Sequence, residues 1–66
     1  MNKEEFCLEL VNQFNYYSKR NDVDICLAIL KLLAKITCEF NEFHSYTNKI
    51  KDKDFMIDLM ILYDYF

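Results

Sequence analysis

Residues 22–50 read DVDICLAILKLLAKITCEFNEFHSYTNKI, and within them Cys26, Ile29, Leu33, Ile36, Phe40, Phe43, Thr47 and Ile50 form one recurring series. Intervals of three and four, sustained over more than three heptads, describe a helical seam suited to antiparallel packing against other helices. The first half of the stretch is apolar nearly all round: Ile25, Leu27, Ala28, Leu30, Leu32 and Ala34 fill its sides, and only Lys31 and Lys35 interrupt them. Such a segment is enclosed by neighbours on most sides. Lys35 and Glu39, four apart, with Glu42 beyond, mark a solvent strip. Unbroken from Asp22 to Ile50, the helix would be about 43 Å long at 1.5 Å per residue; His44-Ser45 or Thr47-Asn48 is the alternative place for a break.

Working outward, Asn2 followed by Glu5 is a variant of the capping box, and Glu4 and Glu5 sit at the positive end of a helix dipole. Phe6, Cys7, Leu10, Val11, Phe14 and Tyr17 then recur at threes and fours, with Glu5, Glu9, Asn12 and Asn15 on the other side. The polar run from Ser18 to Asp22 is the first corner, and Asn21 or Asp22 caps the next helix. Residues 48–54 alternate in charge and hold the second corner, with Asp52 or Asp54 as the following cap. From Phe55 to Phe66 ten residues of twelve are apolar or aromatic, interrupted by Asp58 and Asp64. A strand would put both aspartates on the face of Met56, Met60 and Leu62 and would have nothing to pair with, so a helix is expected. The chain therefore reads as one all-α domain over residues 1–66, a three-helix arrangement with a long central helix (helices 3–19, 22–47 and 54–65).

The 66 residues contain no glycine and no proline, where average usage predicts about eight of the two together. Turns that need positive φ lose their usual residue, which disfavours hairpins and favours helices joined by Asn/Asp corners. Glycine also permits close backbone approach to cofactors and phosphates, so no cofactor is expected. A domain this small buries only about 60% of its unfolded surface, and disulfides, a metal or association usually compensate. Cys7, Cys26 and Cys38 are odd in number and lie within apolar patterns, which suits small core residues in a reducing compartment. With no CxxC, no HxxxH and a single histidine, His44, no metal site is expected. Association remains, because 53% apolar and 17% aromatic content exceeds what such a globule can hide. A helical-bundle homodimer with packing angles near 20° is expected.

A net charge of −3 and a pI near 4.9 give no general attraction to phosphate backbones, and neither later helix is a basic recognition helix, so no direct nucleic-acid binding is expected. The eleven carboxylates are dispersed in capping and pairing positions and do not imitate a phosphate row. The longest apolar run, Ile25 to Leu30, is far short of a membrane span, and the acidic start at Glu4-Glu5 is unlike a signal peptide. A cytoplasmic location is expected. Abundant Asn, Lys, Ile, Tyr, Phe and Asp suit an AT-rich coding sequence, a bias common to phages, poxvirus-like viruses, plasmids and low-GC bacteria that identifies none of them; a virus or mobile element is the expected source. As for catalysis, Cys38 and His44 lie six residues apart, about 120° apart in azimuth on a helix, and do not meet on one face. Asp52, Asp54 and Asp58 lack the central glycine and closing glutamate of a calcium loop. No enzyme is expected.

What is left is side-chain surface. The C-terminal helix cannot turn all its apolar residues toward one small core, and large exposed apolar patches mark interaction surfaces rich in Met, Tyr and Phe. The expected contact residues are Leu8, Tyr16 and Tyr17 on the first helix and Ile57, Met60, Ile61, Tyr63, Tyr65 and Phe66 on the last. The expected function is a small non-enzymatic protein-binding regulator, an adaptor or inhibitor, with a protein partner. A structural helical subunit of a larger assembly is the alternative.

Overall fold

The structure, a computed structural model, describes residues 2–64, and among these it is all-helical. Four helices follow one another: α1 (Lys3–Ser18), α2 (Val23–Thr37), α3 (Phe40–Thr47) and α4 (Lys53–Asp64). Each start but one carries its side-chain cap. The Glu5 N–H donates to Asn2 Oδ1 (2.8 Å), Ile25 N–H to Asp22 Oδ1 (3.3 Å) and Phe55 N–H to Asp52 Oδ1 (3.1 Å). Glu39, before α3, makes no such bond.

The expectation of three helices with a long central one is corrected here. The stretch from 22 to 47 is divided at Cys38, six residues before the break point at His44-Ser45 and well short of Thr47-Asn48. Cys38 adopts φ 61, the left-handed region, and its N–H donates to the Ala34 carbonyl (3.3 Å), which closes α2 in the manner usually left to glycine. The corner after α1 uses the same device. Asn21 adopts φ 55, with Asn21 N–H bonded to Ser18 O (3.1 Å) and Asp22 N–H to Tyr17 O (3.2 Å), a Schellman closure.

A left-handed cysteine costs about 1–2 kcal/mol, so the fold must recover that elsewhere. The molecule measures 28 × 24 × 17 Å, which leaves no room for a 43 Å rod without stranding its second half in solvent. Bending at Cys38 lays α3 and the segment after it along α1. Lys3 pairs with Glu42 (2.8 Å), the Cys7 thiol meets Tyr46, and Asn15 holds residues 49–51, so contacts advance together along both elements. The turn buries Ile50 at 1% exposure, a gain of about 1.5–3 kcal/mol for that side chain alone, and brings Phe43 and Tyr46 onto the core. Burial outweighs the strained residue.

The core joins Cys7, Val11 and Phe14 from α1, Cys26, Ile29, Leu30 and Leu33 from α2, Ile50 from the connection after α3, and Met56 and Leu59 from α4, with Phe43 and Tyr46 of α3 partly buried against it. Phe14 meets Phe55 at 6.1 Å between ring centroids. Ser18, Thr37 and Thr47 are buried at the last residue of α1, α2 and α3. Each hydroxyl donates to a carbonyl of its own last turn: Ser18 to Asn15 O (3.1 Å), Thr37 to Leu33 O (2.8 Å) and Thr47 to His44 O (3.2 Å). A hydroxyl satisfied in this way can be buried cheaply where a helix stops.

Cys7 and Cys26 are core residues as expected, whereas Cys38 is exposed because it lies in the bend. Burial pushes the Cys7 thiol up, and burial followed by the charge of Asp22 takes Cys26 from the ordinary value of 9.0 to about 11. Both are held as neutral thiols. The Cys26 Sγ donates to the Phe14 carbonyl at 3.8 Å.

Candidate protein-interaction surface

The bend at Cys38 decides what α3 presents. On an uninterrupted helix Phe40 would continue the buried stripe of Leu33, but after the left-handed residue it emerges 75% exposed. Its ring stacks on His44, at 5.8 Å between centroids and 7° between planes. Beside it lies an apolar groove of about 170 Å³ walled by Leu30, Ala34, Phe40, Phe43, Met60 and Tyr63. Three helices contribute to it, α2, α3 and α4.

α4 lies against α2 and sends Met56 and Leu59 into the shared core, with Phe55, Met60 and Tyr63 half-buried beside them. Its far side remains apolar. Ile57 is 49%, Ile61 52% and Leu62 43% exposed. Asp54 and Asp58, also exposed, flank the two isoleucines at helical spacing. α2 carries a second outward strip, in which Ile25, Ala28 and Leu32 are exposed and Lys35 lies at the same side. Lys31 stands at the border between α2 and α4, its ammonium 6.0 Å from the centre of the Tyr63 ring.

The expected contact residues thus divide. Ile57 and Ile61 lie fully on the surface, and Met60 and Tyr63 line the groove while also packing inward. Tyr65 and Phe66 lie outside the described residues. On α1, Leu8 is half-buried and Tyr17 packs against the core; Tyr16 is exposed, edge-on to Tyr17 (5.0 Å, 88°) with the Arg20 guanidinium 5.2 Å from its ring centre. No α1 residue lines the groove, so the structure does not join these three to the α4 surface. Phe40, Phe43, Leu30 and Ala34 were not expected in a site. The reason lies in the bend, because a continuous seam assigns Phe40 to the interior.

An open polar hollow of about 360 Å³ lies at Asn15, Ser18, Lys19, Lys51 and Asp52. Its polar groups serve the fold. Asn15 Oδ1 accepts from Lys51 N–H (2.9 Å), its amide donates to Lys49 O (3.4 Å), and Asp52 caps α4. Cys38 and His44 are engaged separately, the thiol donating to Lys35 O (3.2 Å) and the imidazole stacking on Phe40. Among the described residues no three His, Cys, Asp or Glu side chains are placed to hold a metal ion, and no helix is long and apolar enough to cross a membrane.

Comparison of the chain with protein-family models, with curated proteins and with solved structures finds no match.

Proposed function

We propose that this chain is a small non-enzymatic protein-binding regulator, an adaptor or inhibitor that works by occupying a surface on another protein. The observation that carries the reading is Phe40, 75% exposed at the mouth of an apolar groove whose walls come from three helices. An aromatic anchor beside a concave apolar surface is the arrangement in which a few residues supply most of a binding energy. Ile57, Ile61 and Leu62 extend the apolar surface along α4, and self-association as a homodimer is the proposed cover for that extension. Three free cysteines, one of them exposed, suit a reducing intracellular setting.

The test is affinity capture from the native source with the wild-type chain, Phe40→Asp and Tyr16→Ser. The reading expects a discrete protein retained by wild type and by Tyr16→Ser and lost with Phe40→Asp, while the helical circular dichroism of all three stays alike. Defined homo-oligomers with no captured protein would favour a structural subunit instead.

A further inference from the structure

Four of the chain's eight cations gather at one end of the molecule. Lys19 and Arg20 follow α1, and Lys49 and Lys51 follow α3, far from them in sequence. Asn15 joins the two groups, because its Oδ1 accepts from the Lys51 N–H (2.9 Å) and its amide donates to the Lys49 carbonyl (3.4 Å), one turn before Lys19. Lys19 and Lys51 thereby wall the same open hollow of about 360 Å³. Next to Lys19, the Arg20 guanidinium lies over the Tyr16 ring, 5.2 Å from its centre, a contact that places the cation without neutralising it. In the sequence Lys49 and Lys51 alternate with aspartates and their charge nearly cancels; the fold adds Lys19 and Arg20 to them.

No carboxylate answers these four. Lys53 shows the contrast, since its ammonium donates to the Asn48 and Ile50 carbonyls, and Lys3 pairs with Glu42 at the far end of α1. Among the described residues Lys19, Arg20, Lys49 and Lys51 make no ion pair, and all four are exposed. An anion entering among them meets several attractions at once.

We infer that this end of the molecule docks a short acidic segment of a partner protein, its carboxylates shared among Lys19, Arg20, Lys49 and Lys51. The surroundings select that chemistry. Phosphate is commonly held by the free N–H groups of a helix start, but Asp52 already sets its carboxylate on the start of α4, bonded to Phe55 N–H at 3.1 Å, and also lines the hollow. A compact dianion would be repelled there. A long polyanion, whether nucleic acid or an anionic membrane, would run on to Asp24 and Asp54, both exposed, in a chain whose net charge is −3. Separate carboxylates on a flexible segment can meet separate cations and avoid Asp52. The inference goes beyond the regulator reading and uses no part of the groove beside Phe40.

The test is fluorescence anisotropy of a short fluorescein-labelled peptide in which glutamate alternates with serine, titrated with the intact chain at about 0.15 M salt. A dissociation constant below about 1 mM is expected, rising with salt, with no binding of the same peptide carrying glutamine for glutamate. Lys19→Gln with Lys51→Gln, and separately Lys35→Glu near the other end of α2, each lower the formal charge by two, one by two neutralisations and the other by one reversal. The first is expected to weaken binding about tenfold, as two exposed ion pairs lost together would. The second is expected to change it by less than about twofold. Lys51→Gln alone serves if the double variant loses its helical circular dichroism, with a smaller loss expected in the same direction.

No binding of the glutamate peptide up to about 1 mM overturns the inference, as does an equal loss in Lys35→Glu and the double variant. Tighter binding of a single-stranded oligonucleotide of equal charge, or of vesicles containing phosphatidylserine, overturns it by giving the surface to another class of partner. Displacement of the peptide by inorganic phosphate at equal concentration overturns it too. Phe40→Asp is expected to leave peptide binding unchanged, so failure of this docking and failure of the regulator reading are told apart.

Discussion

α1 and α4 are both capped by an Asx side chain and both lie against α2, yet they divide their residues in opposite ways. α1 sends Cys7, Val11 and Phe14 into the core and turns Glu5, Glu9, Asn12 and Gln13 to water, with Gln13 bonded back to Glu9 at 3.0 Å. α4 buries Met56 and Leu59 and exposes Ile57, Ile61 and Leu62. Of its large apolar residues α1 leaves Phe6 (39%) and Tyr16 (53%) exposed, toward opposite ends of a largely polar outer face. α4 leaves three aliphatic side chains together in water, and this contrast supports the proposal that α1 serves mainly stability and α4 contact.

The sharpest way to break that division is Phe14→Ala, which removes the largest fully buried side chain of α1 together with its contact to Phe55. A loss of about 3–5 kcal/mol is expected, enough to unfold most of a domain this small, and a urea titration measures it. If Phe14→Ala were milder than Ile57→Ala, the assignment of roles would be reversed.

The interior around α1 also imposes a pH dependence. The Cys26 thiol that donates to the Phe14 carbonyl holds its proton up to about pH 11, against an ordinary 9.0. Between those values the unfolded chain loses a proton that the folded chain keeps, so the stabilisation is complete below pH 9 and declines as pH rises toward 11. The slope is about 1.4 kcal/mol per pH unit for one such group. Thermal melts of wild type and Cys26→Ala across this window should converge as pH rises.

A smaller effect belongs to the seam between α1 and the segment leading into α4. Asn15→Ala removes both bonds to residues 49–51, and about 1 kcal/mol is expected from the two lost bonds, since the freed backbone groups are exposed and water replaces Asn15. Hydrogen exchange should show the Lys51 amide losing its protection while those of α2 keep theirs. Smaller again is Cys38→Gly, expected to stabilise by about 0.5–1 kcal/mol because glycine adopts φ 61 without strain. A destabilisation in the melt would mean that the thiol's bond to Lys35 O contributes more than the backbone strain costs.

Much of this contrast was legible before any coordinates. Asn2 announced its helix, and Asn21 or Asp22 and Asp52 or Asp54 announced two more, because a short side-chain oxygen before an apolar run has one obvious use; the structure selects Asp22 and Asp52, and the surplus of apolar residues after Phe55 followed from counting alone. The bend at Cys38 was not legible. The three-four spacing continues on both sides of it, from Ile36 to Phe40 and Phe43, and a left-handed cysteine leaves no compositional mark. The local trace is Thr37, which does at the end of α2 what Ser18 and Thr47 do at the ends of α1 and α3. In a chain without glycine, a hydroxyl residue entering an apolar stripe is the sign of a helix end. Missing it moved Phe40 to the interior and concealed one wall of the groove, whereas the exposure of Ile57 and Ile61 depended only on α4.

The most direct measurement is sedimentation equilibrium of the intact chain beside a chain carrying Ile57→Asp and Ile61→Asp. The account predicts concentration-dependent association of the wild type, and a variant that is monomeric, equally helical and within about 0.5 kcal/mol in stability, as surface substitutions are. A wild type that stays monomeric to about 100 μM, far weaker than a standard interface would be, or a variant that associates as strongly, would contradict it.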